Sequence, residues 1–300
     1  MDGRLIQVPR TIRSIPPELL IVAAAVSVQG GGAFAAQLLQ DHSPLAVVSL
    51  RIGFSALMLV MVQRPRRGSV GRTAWRDAAL LGLVMAAMNT CFYFAIARIP
   101  LGVAVTIEFW GPLAVAVVGS RRPRDLAWVG LAAIGIYLLT GGRLVADDLA
   151  GVAGAFAAGG CWSVFIVLGG RVSRAWPDGR GLTVMMVAAT LAVVPAAAVS
   201  GGFAGMFVPS VLAAGLLVAT LSSTIPYTLE LAAMRHIPSP TYGVLMSLEP
   251  AVAALAGFVI LGQMLRPVDL LGMVCVGLAS AGASASARRR EIAPGELEAA

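Results

Sequence analysis

Four charged residues, Arg51, Glu108, Glu230 and Glu249, stand well inside long apolar stretches of this 300-residue chain. Such residues are costly in hydrocarbon, so they face a bundle interior, pair with one another, or mark a pathway. The chemistry open to a buried carboxylate is narrow. It can alternate between a charged and a neutral form and so carry a proton, or it can hold a substrate ammonium. The plainer use is a neutral acid hydrogen-bonded between helices. Among the three acids Glu249 ranks first as a proton and substrate site, then Glu108, then Glu230. Arg51 cannot shed its proton and needs a carboxylate or water. Two uses stay open for it: a structural ion pair with one of the glutamates, or a docking point that grips a substrate carboxylate through two hydrogen bonds.

Uncharged groups accompany these four. Gln29, Asn89, Tyr93, Trp162 and Tyr227 lie in the same stretches and are expected to line a polar cavity, with Trp110 and Tyr242 nearby. Tyr227 precedes Glu230 by three residues and shares its helical face. Two of the acids also sit in echoing segments. Residues 100–112 and 238–250 each follow an isoleucine and hold prolines twelve residues apart, one pair enclosing Glu108 and the other preceded at its end by Glu249. The echo continues as Arg122-Pro123-Arg124-Asp125 and Arg266-Pro267-Val268-Asp269. Within it the acids are offset by three residues, about one helical turn. Proline also frees the carbonyl one turn back, which can then accept a bond from a side chain or ligand.

The elements that must position these groups are helical spans. The chain is 58% hydrophobic and 12% charged, with mean hydropathy +0.85. A soluble domain carries about a quarter charged residues, so the composition is that of an integral membrane protein. Apolar spans run at 19–39, 45–63, 78–97, 101–119, 126–140, 149–170, 182–200, 211–233, 241–261 and 268–287, ten in all. The first resembles a signal peptide, with Ala33-Phe34-Ala35 as a cleavage pattern, but nine spans follow it and it is read as an uncleaved helix. Its Gly30-Gly31-Gly32 permits either close helix packing or local unwinding.

All 22 basic residues are Arg. With the N-terminus inside, the cytoplasmic face receives three in the leader, five between Arg64 and Arg76, and three at 121–124. It also receives three at 171–180, Arg235, and three in the tail, eighteen in all, against only Arg98, Arg143 and Arg266 outside. That asymmetry predicts cytoplasmic termini. It also explains the pI near 10.3 without nucleic acid. The last two members of each five-span half echo each other. Five is odd, so the second half must be inverted, which places a site near the bilayer midplane. The expected organisation is a leader (1–18), a first repeat (19–143), a second repeat (149–287) and an unstructured cytoplasmic tail (288–300).

Several functions are disfavoured. Cys91, Cys161 and Cys275 have no metal or disulfide spacing, and the two histidines, His42 and His236, fall in loops. An embedded enzyme would need a nucleophile beside a base, or a metal cluster, and the spans offer neither. No Gly-Lys-Ser/Thr phosphate loop occurs, so neither ATP nor another cofactor is expected; a proton gradient is the natural energy source. The sequence assigns no oligomeric state.

The segments PLGVAVTIEFWGPLAVAV from Pro100, SRRP from Ser120, LSSTIPYTLE from Leu221 and GVLMSLEP from Gly243 resemble the EamA branch of the drug/metabolite transporter superfamily. The likeness extends over nearly the whole chain. It implies ten helices in two inverted repeats and export of small metabolites from a bacterial-type inner membrane, threonine- and homoserine-like amino acids first. Export of drugs or nucleobase analogues on the same fold is the nearest rival. Many relatives carry Glu-Pro in both repeats; here the first repeat reads Gly111-Pro112, with Glu108 a turn earlier.

Overall fold

The computed structural model describes residues 15–63, 70–118, 126–139, 148–176, 179–226 and 245–297, with Leu229 and Ala233 besides. Among the described residues every regular element is helical. The first half holds α1 (Pro17–Leu38), α2 (Pro44–Gln63), α3 (Arg72–Ile96), α4 (Leu101–Glu108), α5 (Trp110–Val118) and α6 (Leu126–Leu139). The second holds α7 (Leu149–Ala175), α8 (Gly181–Val199), α9 (Pro209–Ala219), a π-helical turn (Thr220–Thr224), α10 (Glu249–Leu261) and α11 (Pro267–Leu297).

Local chemistry sets the helix ends. Pro17 opens α1 with Glu18 in its first turn, where a missing N–H is harmless and a negative charge meets the helix dipole. Asp148 caps α7 by accepting from the Gly151 amide at 3.0 Å. Gly262, at φ 64°, ends α10 in the left-handed region. Helix α1 runs unbroken through Gly30–Gly32, so the segment does not unwind, and Gly31 serves close packing. A Cβ on Gly31 would lie 2.9 Å from the backbone nitrogen of Ser222, closer than real contacts allow.

Two expectations need correction. The span at 101–119 is two helices. Pro112 has no N–H to offer the Glu108 carbonyl, and the chain turns at Phe109 between α4 and α5. Nor does order end at residue 287: α11 continues to Leu297, because Ala, Arg and Glu are good helix formers. Among the described residues, five helices are long and apolar enough to cross a membrane: Pro17–Leu38, Pro44–Val62, Arg72–Ile96, Leu149–Ala175 and Gly181–Val199. Five further apolar helical stretches among them, from Leu101–Val115, which joins α4 to the start of α5, to Pro267–Gly282, are shorter.

The helices pack mainly across the two halves. α3 lies against α7 and α8, and α2 against α8 and α9; α1 lies against α10 and the π turn, and α6 against α11. α4 touches both α7 and α10. The α3–α7 pair is pinned at both ends. At one end Trp176 is buried edge-on against Trp75, 5.1 Å between ring centroids, and donates to the Ala74 carbonyl at 3.3 Å. At the other, Arg98 meets Asp148 at 3.5 Å and stacks on Phe94 at 4.5 Å. Outward faces are oily: Leu57, Leu83, Val164 and Leu191 are each at least half exposed. Lipid, not water, suits that surface.

Candidate functional site

Arg51 lies in α2, seven residues inward from Pro44, and is 9% exposed. Its guanidinium is held by uncharged groups. Nη1 donates to the Asn89 side-chain oxygen and, at 3.4 Å, to the Tyr93 hydroxyl. Nη2 donates to the Ser222 carbonyl at 3.0 Å, and Nε to the Ser223 hydroxyl at 3.3 Å. The Tyr93 ring lies 5.5 Å from the guanidinium carbon. Among the described residues no carboxylate comes within 4.0 Å of it, so the ion pair weighed from the sequence is not formed there. Among the described residues the charge is solvated by dipoles alone, with no counter-charge at close range.

Each partner is aimed by its own element. Asn89 and Tyr93 are four apart on α3 and so share a face. The Asn89 amide nitrogen donates to the Met85 carbonyl at 2.9 Å, which turns its oxygen toward Arg51. The Ser222 carbonyl is free because Pro226, four residues on, has no N–H for it. The π turn is the backbone's accommodation of that gap. Its Leu221 carbonyl accepts from Ser27 of α1 at 2.7 Å. The Ser222 hydroxyl is buried with no partner. Ser222 and Ser223 were not singled out from the sequence; four hydroxyl residues within Thr220–Thr224, just before a proline, were the available signal.

Glu108 ends α4, seven residues inward from Leu101, and is 9% exposed. Its carboxylate makes no hydrogen bond among the described residues, yet lies close enough to Arg51 for their charges to attract. The Glu108 carbonyl, which Pro112 leaves bare, faces α7 at Gly159, where a Cβ would approach it to 2.6 Å. Trp162 of α7 stands edge-on to Phe109 at 5.1 Å and walls this corner. Trp110 instead donates to the Phe156 carbonyl at 2.9 Å, a packing role. Gln29 of α1 is 4% exposed on the face toward α4.

A cavity of about 340 Å³ opens at the end of the bundle, lined in part by Gln40, Arg98, Pro100 and Gln263. The Gln263 side-chain oxygen caps α4 by accepting from the Leu101 amide at 3.1 Å. Helices α2 and α4 both start at this end, so Arg51 and Glu108 lie at like depth, about 10 Å inward at 1.5 Å per residue. Glu249 is buried as well, at 6%, in the first turn of α10. The structure thus brings Arg51, Asn89 and Tyr93 together, with Glu108 within electrostatic reach and Trp162 behind it. Glu230, Tyr227 and Tyr242 lie outside the described residues.

The EamA-like transporter family matches the chain twice, over residues 15–141 and 149–285. The threonine/homoserine exporter RhtA of Escherichia coli (strain K12) is 37% identical over 286 residues, covering 94% of this chain and 96% of the relative. The protein of the same name from Salmonella typhimurium (strain LT2) is also 37% identical, with the same coverage. The uncharacterized transporter YwfM of Bacillus subtilis (strain 168) is 25% identical over 264 residues, 85% of this chain and 88% of that one. A protein of known crystal structure shares the fold with a TM-score of 0.61 at 17% identity, over 92% of this chain and 98% of that one.

Proposed function

The chain belongs to the EamA-like transporter family, and from that premise we propose that it is a secondary-active inner-membrane exporter of small amino acids, threonine- and homoserine-like, driven by proton antiport. It is a transporter and not an enzyme, as its relatives are named. One observation carries the choice of substrate: among the described residues, a buried arginine is held only by neutral groups, at the same depth as a carboxylate without a hydrogen bond. A zwitterion has the two poles this arrangement wants. Its carboxylate displaces the weaker acceptors at Arg51, and its ammonium pairs with Glu108.

In this reading the apolar helices form ten spans in two inverted halves, both termini are cytoplasmic, and the cavity beside Arg98 faces outward. A zwitterion carries no net charge, so the membrane potential alone does not drive it. Exchange for an inward proton moves one charge, about 2.3 kcal/mol per 100 mV. Glu108 suits the exchange better than Glu249. Glu249 sits in the first turn of α10, where the helix dipole favours a negative charge. Glu108 lies at the α4–α5 turn within electrostatic reach of Arg51, and its carboxylate makes no hydrogen bond among the described residues. Proton and substrate ammonium then compete for one carboxylate, which is what antiport requires.

The deciding experiment compares cells with and without the gene under toxic amino acids, purine analogues and cationic drugs, followed by export of labelled threonine from vesicles with an imposed pH gradient. Protection against threonine or homoserine, with gradient-dependent export, is the expected result. Protection against drugs or purine analogues alone would overturn the substrate assignment.

A further inference from the structure

Gln29 is buried to 4% and, among the described residues, its amide makes no hydrogen bond. A primary amide carries two donors and an acceptor, and the Gln29 amide atoms are not among the fully buried ones, so the amide borders internal space with its hydrogen-bonding capacity unused by the described residues. Gln29 lies one helical turn inward from Gly32, where α1 meets Leu101 of α4; a Cβ on Gly32 would stand 3.6 Å from Leu101 and 4.0 Å from the Gln29 side-chain oxygen. That oxygen therefore lies under the α1–α4 crossing, on the α4 side that leads inward to Glu108. The next stripe of α1 meets the π turn through Ser27 and Gly31, and the same turn holds Arg51. Gln29 thus joins two groups around one interior, the Arg51 guanidinium held by neutral acceptors and the Glu108 carboxylate, which makes no hydrogen bond among the described residues.

Resting on the amino-acid reading of that site, we propose that Gln29 reads the hydroxyl of the substrate side chain, so that the site selects hydroxylated amino acids over their apolar isosteres. With the carboxylate at Arg51 and the ammonium at Glu108, the remaining substituent of an α-amino acid is left facing Gln29. A hydroxyl is both donor and acceptor, as the amide is. A methyl group in its place keeps the amide unpaired, and sites of this kind reject the isostere far more strongly than an apolar pocket rejects a shape change.

Threonine and valine are the test pair, because they differ by hydroxyl against methyl at nearly constant shape. Binding to the purified full-length protein is measured by competition, alongside melting of the substrate-free protein. Wild type is expected to prefer threonine by about tenfold or more, the worth of one hydrogen bond. In Gln29→Met the ratio should fall toward one through loss of threonine affinity, while the empty protein melts no lower, since an unmet amide has become a fitting apolar chain. Gln29→Leu repeats the test should methionine pack badly. An unchanged threonine-to-valine ratio in both variants overturns the proposal. So does a marked fall in melting temperature in both, which would make the amide structural. Equal binding of threonine and valine by wild type, lost in Arg51→Lys, removes this inference alone. No binding of either amino acid removes the Arg51–Glu108 reading together with it.

Discussion

Arg51 shows what single residues disclose and withhold. Its sequence context announces a buried charge, and the structure keeps it buried. Two of its partners, Asn89 and Tyr93, are already named from the sequence as cavity groups; the other two were beyond reach, because they come from the π turn 171 and 172 positions away. A sequence-based search for a counter-charge points to the glutamates, whereas the fold supplies dipoles. If Arg51 grips a carboxylate, Arg51→Lys keeps the charge but loses the fork, a loss of about 1.5–3 kcal/mol, or roughly 10- to 100-fold in affinity. Transport of carboxylate-bearing substrates should fall by that factor at unaltered protein level. Equal loss for substrates lacking a carboxylate, at reduced protein level, would mark a structural residue instead. The acids provide a second test. In vesicles with an imposed pH gradient, Glu108→Gln should insert normally and lose gradient-driven export, with Glu249→Gln less affected. The opposite pattern would restore the order read from the echoing segments, which put Glu249 first. Which end of a helix each acid would occupy was not visible, because hydropathy cannot detect the one-residue turn at Phe109.

Proline placement governs the elements. Pro112 and Pro226 each strip a carbonyl of its amide, and the chain answers differently: a break between α4 and α5 in one case, a π turn in the other. The rule was legible in the sequence, but it was applied to the prolines flanking the acids. The carbonyl that does accept a functional side chain is that of Ser222, freed by Pro226. Pro226→Ala should close the ladder, offer Ser222 an amide, and draw its carbonyl from Arg51. Reduced substrate affinity with equal or higher melting temperature is expected. A variant that binds as wild type does would mean that the π turn is only a packing device. Span positions were largely readable, because apolar runs near 20 residues have few other uses. Span 3 begins at Arg72, six residues before the apolar run that predicted it, since arginine-bearing turns can reach past the hydrocarbon while remaining helical.

For the molecule as a whole, repeat and arginine distribution lead to one topology that labelling can check. Single cysteines at Arg72 and Asp147, in a background lacking the native three, should react with membrane-impermeant reagent from the inside and the outside, respectively. A cysteine at 147 labelled only from the cytoplasm would break the ten-span reading and its inverted symmetry together. The echo of 100–112 in 238–250 revealed that there are two halves. It was silent on how they interlock, since contacts such as Gly82 of α3 on α8 depend on the absence of a side chain and leave no pattern in hydropathy.

The interlocking has a consequence for inheritance. Since α3 lies mainly on α7 and α8, and α6 on α11, each half finishes its fold on the other's surface. Neither half is a free-standing ancestor preserved inside the chain; each has become the mould for its sibling. Severed between α6 and α7 and made as two polypeptides, the halves should therefore reassemble in one membrane and export together. Made singly, each should be destroyed by cellular quality control. Mutations on the α3–α7 seam will be tolerated only when the opposite half changes in step.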